Sequence, residues 1–116
     1  MRINIRTHHY EITDVLHEYI EKKLTGLEKY LEGIKDAYVE LTMDGHHKKG
    51  SVAQADITLH LLGDSDALLR ATVAADDFHE AVDMSIAKLK AQIEDYKSKR
   101  RAMDKDVIRE MKEEEE

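Results

Sequence analysis

The 116-residue sequence predicts an α+β fold: a two-layer sandwich of order β-α-β-β-β-α, with a four-stranded mixed sheet and two helices on one face. Three observations carry that reading. Four segments alternate apolar and polar residues with the period of two that a half-buried strand requires. Two others space apolar residues three and four apart, as a helix with one buried stripe does. The strand–helix–strand opening favours a right-handed crossover with parallel strands, and the later strands follow closely enough to form a meander. Each strand has one apolar face and each helix one stripe, so both helices are expected on the same covered face.

Arg2 to His8 is the first strand, with Ile3, Ile5 and Thr7 on one face and Arg2, Asn4, Arg6 and His8 on the other. His8, His9 and Tyr10 lead out of it. A helix follows from Thr13 to Leu31. Thr13 is the expected N-cap and Asp14 sits in the first turn, near the free N–H groups and the positive end of the dipole. Leu16, Ile20, Leu24, Leu27 and Leu31 form its stripe; Tyr19, Lys23 and Tyr30 group on one flank, and Lys22 and Lys29 lie nearer the far side with Gly26. Gly33 is the expected stop.

Asp36 to Met43 is the second strand, with Ala37, Val39, Leu41 and Met43 inward. Asp44 to Gly50 reads as a turn, and its His46-His47-Lys48-Lys49 tip as a basic, flexible contact. Ser51 to Leu62 is the third strand, with Ala53, Ala55, Ile57, Leu59 and Leu61 on one face. Gly63 to Asp66 is a turn, and Ala67 to Ala75 the fourth strand.

The last helix, Asp76 to Met103, organises the rest. Phe78, Val82, Ile86, Leu89, Ile93 and Tyr96 form its stripe. Asp76 and Asp77 start it, and Lys97, Lys99, Arg100 and Arg101 fill its last turns, where cations are favoured. At about 100° per residue, Lys88, Gln92 and Lys99 fall on one flank, and Lys90, Lys97 and Arg101 on the other. Residues 1–103 thus read as one α+β domain. Beyond it, residues 104–116 read as an acidic, mobile tail with little to bury.

The net charge of −7 alone argues against a nucleic-acid partner. The distribution argues otherwise. From Asp104 onward, seven acidic residues face three basic ones, a net of −4 that leaves −3 for residues 1–103. With no cysteine there is no disulfide framework and no thiol chemistry. No apolar run approaches the roughly 20 residues that span a bilayer. The opening MRINIRTHHYEI lacks the apolar block of a secretory signal, so a cytoplasmic location is expected.

The five glycines form no phosphate loop, no serine sits in a nucleophile elbow, and no acid pair stands out. The seven histidines raise the question of metal, but the His8-His9 and His46-His47 pairs lack chelating spacing, and exposed polar histidines are the expectation. An enzyme, a cofactor, a metal and a small-molecule substrate are therefore not expected. The lysines have two readings. On spacing alone they are the wet face of amphipathic helices. Alternatively, lysines from both helices lie side by side as a phosphate-binding surface, with Tyr19 and Tyr30 as stacking faces.

Four stretches bear on that choice: INIRTHHYEIT (3–13), KKLTGLEKYL (22–31), ADITLHLLG (55–63) and ATVAADDFHEAVDMSIAKLKAQIEDYKSK (71–99). The last is the most specific, with two acidic residues, an aromatic, an EAVD step and a lysine-rich amphipathic helix. Over roughly residues 1–100 the chain resembles the ribosome hibernation-promoting factor family, also called the ribosome-associated inhibitor A or sigma-54 modulation protein family. The resemblance implies a fold similar to double-stranded RNA-binding domains. It also implies a stress and stationary-phase factor that binds the small ribosomal subunit and its ribosomal RNA in the decoding channel. Such a factor blocks the messenger and transfer RNA sites and inhibits translation without chemistry.

On that resemblance Lys23 and Lys29 match basic positions of the first helix, and Lys88 and Lys99 those of the second. Lys22, Lys90, Lys97, Arg100 and Arg101 join them on physical grounds. Ala91 and Asp95 stand where some relatives are basic, which implies a weaker or shifted phosphate surface. Long relatives carry a second, ribosome-pairing domain, so the chain resembles a short form or the first domain of a long one. Its acidic end is similar to those of inhibitor-type short members. The rival expectation is a protein-interaction module that docks through the tail or the wet sheet face (Arg2, Arg6, Tyr38, His60, Arg70).

Overall fold

Alternation becomes a sheet here because each strand segment has one row of apolar side chains to bury. The computed structural model describes residues 1–31, 33–47, 50–61 and 67–115, with backbone alone for 44–47, 50–51 and 100–115. Four strands, β1 (Arg2–His8), β2 (Ile34–His47), β3 (Gly50–Leu61) and β4 (Leu68–Ala75), lie in the order β1-β2-β3-β4. β1 and β2 are parallel, in register from Arg2↔Asp36 to His8↔Thr42. β2 pairs antiparallel with β3 (Val39↔Ile57), and β3 with β4 (Ile57↔Ala71). The expected mixed sheet and meander are therefore present.

One face of the sheet is closed. Ala37, Val39, Leu41, Ala53, Ala55, Ile57, Leu59, Leu61, Ala71 and Val73 are all buried. Helices α1 (Asp14–Leu27) and α2 (Phe78–Glu115) cover them with the two expected stripes, Leu16, Ile20, Leu24 and Leu27 against Phe78, Val82, Ile86, Leu89 and Ile93. Each such Leu or Ile stabilises the fold by about 1.5–3 kcal/mol through area removed from water. Ser85, fully buried in the same seam, donates its hydroxyl to the Ala81 carbonyl at 2.8 Å, so it leaves no unpaired polar group.

Both helix starts carry the expected caps. Thr13 Oγ1 accepts from the Leu16 N–H at 3.2 Å, and Asp77 Oδ1 from the Glu80 N–H at 2.8 Å. Left-handed His9 (φ 57°) turns the chain out of β1, and Gly33 (φ 90°) turns it into β2. The Tyr10 ring then packs on Phe78, centroids 4.4 Å apart, tying the two helix starts together.

Three boundaries differ from the sequence reading by more than two residues. The regular α1 helix ends at Leu27 rather than Leu31. Beyond it the N–H groups of Glu28, Lys29 and Tyr30 donate to carbonyls three residues back, a tightening that brings Tyr30 round toward α2. β2 and β3 run through most of the expected Asp44–Gly50 turn, to the His47↔Gly50 pair, with a register shift between Asp44 and His47. Polar residues do not stop a backbone ladder. The helix expected to end at Met103 continues to Glu115, because its Lys, Arg, Met and Glu residues are good helix formers and neither glycine nor proline interrupts them. Lys48, Lys49, the His46 and His47 side chains and the Gly63–Asp66 turn lie outside the described residues.

Candidate nucleic-acid interface

α1 and α2 lie side by side and point the same way: Tyr19 stands beside His79 and Asp83, and Tyr30 beside Lys90. Their stripes converge on the sheet, so their outer flanks diverge and leave a valley. Tyr19, Lys22, Lys23, Thr25, Gly26, Lys29 and Tyr30 form one wall, and Ile86 and Lys90 the other, around an open volume of about 560 Å³. Lys22 and Lys23 precede Gly26 by four and three residues on the helix surface, and Lys29 and Tyr30 follow it in the tightened turn, so the four surround it in the groove wall. A Cβ added at Gly26 would meet nothing within 4 Å, so the centre of that group is bare.

The two tyrosines hold two of the lysines. The Lys23 ammonium stands 5.5 Å from the Tyr19 ring centroid and that of Lys90 5.2 Å from the Tyr30 centroid. Each such contact is worth about 0.5–1 kcal/mol at an exposed site. It steers the stem and leaves N–H donors for an anion. Tyr19 does more. Its hydroxyl donates to Asp83 Oδ1 and its ring meets His79 edge-on, centroids 4.8 Å apart. The hydrogen bond to Asp83, then burial, then the Asp83 charge push its pKa up to about 12, so it stays a protonated brace between the helices. Tyr30 has no such tie in its ring plane and remains 44% exposed.

Of the basic residues expected to bind, Lys22, Lys23, Lys29 and Lys90 come together in this groove. Lys88 and Lys99 do not. They occupy the other flank of α2 with Gln92, which faces β4: Gln92 Oε1 accepts from the Arg70 N–H at 3.1 Å and Gln92 Nε2 donates to the Arg70 carbonyl at 2.6 Å. Lys99 also pairs with Asp95 at 3.1 Å. Lys97 is half-buried farther along α2; Arg100 and Arg101 continue the helix, with side chains outside the described residues.

A sequence model of the sigma 54 modulation protein / S30EA ribosomal protein family matches residues 3–101. The chain belongs to that family. The ribosome hibernation promoting factor of Salmonella typhimurium is 34% identical over 99 residues, covering 85% of this chain and 96% of that protein. The Bacillus subtilis ribosome hibernation promotion factor is 31% identical over 99 residues; the matched region is 85% of this chain but spans only 50% of that relative. Among solved structures, the Thermus thermophilus Protein Y N-terminal domain superposes with a TM-score of 0.70 at 31% identity, over 83% of this chain and 99% of that one. A ribosomal subunit interface protein from Coxiella burnetii shares the fold, with a TM-score of 0.72 at 23% identity over 84% of this chain and 99% of that one.

The family match takes in both helix walls and ends at Arg101, so the acidic residues from Asp104 onward lie beyond it. On the open sheet face of this S30EA-family chain, several polar groups already hold one another. Arg70 donates from Nε and Nη2 to the two oxygens of Asp56 at 3.0 and 2.5 Å, and that pairing raises its pKa. Tyr38 donates to Asp36 at 3.4 Å, and His60 Nδ1 lies 3.9 Å from the same carboxylate. Three of the five sheet residues considered for protein docking are thus engaged within the chain. Among the described residues no three His, Asp or Glu side chains gather as a metal site, and no helix is long and apolar enough to cross a membrane.

Proposed function

We propose that this chain is a cytoplasmic, ribosome-associated hibernation factor that binds the small ribosomal subunit through ribosomal RNA. It inhibits translation by occupying the messenger and transfer RNA sites, with no chemical step. One observation carries the reading: in a chain of net charge −7, four lysines from α1, the turn after it and α2 line one groove with two tyrosines. The hibernation factor names of its relatives support the role. Lys97, Arg100 and Arg101 carry the phosphate-binding surface on along α2, and Lys88 and Lys99 add a second basic row on its opposite flank. Residues 1–103 are the binding unit and residues 104–116 an acidic extension of it. Phosphate contacts give affinity that ignores base sequence and falls with salt, and folded RNA is recognised by shape, as a channel-blocking protein requires.

The test is sedimentation of the purified protein with isolated small subunits across a salt series. Co-sedimentation should fade linearly on logarithmic axes. No co-sedimentation at low salt refutes the proposal, and binding indifferent to salt replaces it with docking on ribosomal protein.

A further inference from the structure

Tyr19 on α1 and Tyr30 in the turn that follows it line the same groove wall, yet the fold leaves them in different states. Each ring carries one lysine ammonium, but Tyr19 is also spent on the protein: its hydroxyl donates to Asp83 and His79 meets its ring edge-on. Tyr30 is presented outward from the tightened turn after α1 and is 44% exposed, so part of its ring is open to solvent. It sits in the groove wall beside Lys29, with the Lys90 ammonium 5.2 Å from its ring centroid. An exposed aromatic ring between phosphate-reaching cations is the arrangement that holds an unstacked nucleotide, ring to base and ammonium to phosphate.

We propose that Tyr30 is a stacking platform for one unpaired base, so that the groove selects single-stranded or looped RNA over regular duplex. This rests on the RNA-binding reading above and narrows its partner. An A-form duplex offers phosphates and 2′-hydroxyls but keeps its base faces inside the stack, where Tyr30 finds nothing to cover. A looped strand can lay one base on the ring while its neighbouring phosphates reach Lys29 and Lys90.

The experiment uses the full chain, a labelled single-stranded RNA and a duplex RNA of equal length, read by fluorescence anisotropy across a salt series. Tyr30→Leu keeps an apolar side chain but removes the π face; Tyr30→Phe keeps the face and removes the hydroxyl. Base–aromatic stacking predicts that Tyr30→Leu loses about 5- to 150-fold in single-strand affinity. Its salt slope should be unchanged, duplex affinity should stay level, and Tyr30→Phe should bind as the parent does. Circular dichroism of Tyr30→Leu checks that the fold is retained. Equal single-strand binding by Tyr30→Leu and parent overturns the stacking role while leaving the phosphate groove standing. So does an equal loss on duplex, or a flattened salt slope, which would make Tyr30 only a support for Lys90. Failure of the parent to bind either RNA overturns both readings.

Discussion

The groove assignment is tested most directly by replacing Lys22, Lys23, Lys29 and Lys90 together with glutamine. Each phosphate contact contributes about 0.7–0.9 to the slope of log affinity against log salt. Four contacts therefore account for a slope of about 2.8–3.6. Raising salt from about 50 to 200 mM should cost the parent about 50- to 150-fold more small-subunit affinity than it costs the variant. The fold should survive. Two of the four lysines lie over tyrosine rings, at about 0.5–1 kcal/mol each, so the expected loss is about 1–2 kcal/mol against about 5–15 for a typical domain. Sedimentation with small subunits at several salt concentrations measures the slope, and a thermal melt checks the fold. Replacing Lys88 and Lys99 instead removes at most two contacts, one of them from a lysine already paired with Asp95. A groove variant that keeps the parental slope refutes the assignment, and a larger drop from the Lys88/Lys99 pair relocates the surface to the opposite flank.

Three further outcomes follow from the geometry. Tyr19, with its pKa pushed up from 10.0 to about 12, holds its proton more tightly folded than unfolded, so its stabilisation is complete below about pH 10 and lost as pH rises through about 12. Tyr19→Phe should cost about 1 kcal/mol at neutral pH and lessen the alkaline loss; denaturant titrations from neutral to strongly alkaline pH measure both. Gln92→Ala removes two hydrogen bonds to Arg70 and uncovers backbone at an edge strand, so chemical denaturation should show a loss of about 1–3 kcal/mol. Gly26→Ala fills space where nothing lies within 4 Å, so a thermal melt should show a gain of about 0.5–1 kcal/mol.

The fold was legible wherever one residue's chemistry settles its place. Alternation put Val39 and Ile57 inward and Tyr38 outward, and both caps, Thr13 and Asp77, accept as their side chains suggest. Boundaries set by backbone hydrogen bonding were less legible, since Asp44-Gly45-His46-His47 can extend a ladder as well as turn. The site was half legible. Helical spacing sorted the lysines into flanks but could not say which flank of α2 meets α1, because that depends on how both helices sit on the sheet. So Lys90 joined Lys22, Lys23 and Lys29, whereas Lys88 and Lys99 were left on the other side. Gln92, grouped with those lysines by spacing, proved to be a partner for β4; a lone amide on a charged flank was the one available signal. Asp83, which helical spacing did not single out, is the anchor of Tyr19 because the two helices run parallel.

The overall charge is the quantity most easily misread. A net of −7 argues against RNA only if a phosphate feels every charge on the chain. At about 0.15 M ionic strength the screening length is about 8 Å, shorter than the roughly 21 Å of helix axis between Lys90 and Asp104 at about 1.5 Å rise per residue. A phosphate in the groove therefore meets four lysines first, and the −4 carried beyond Met103 is largely screened. Lower the salt to about 0.01 M and the screening length grows to about 30 Å, so the acidic extension begins to oppose the approach. Affinity should then climb less steeply at low salt than near physiological salt. Trimming residues 104–116 should straighten the plot without altering its slope at higher salt. A plot equally curved with and without those residues would show that the groove, and not the tail, sets the whole salt dependence.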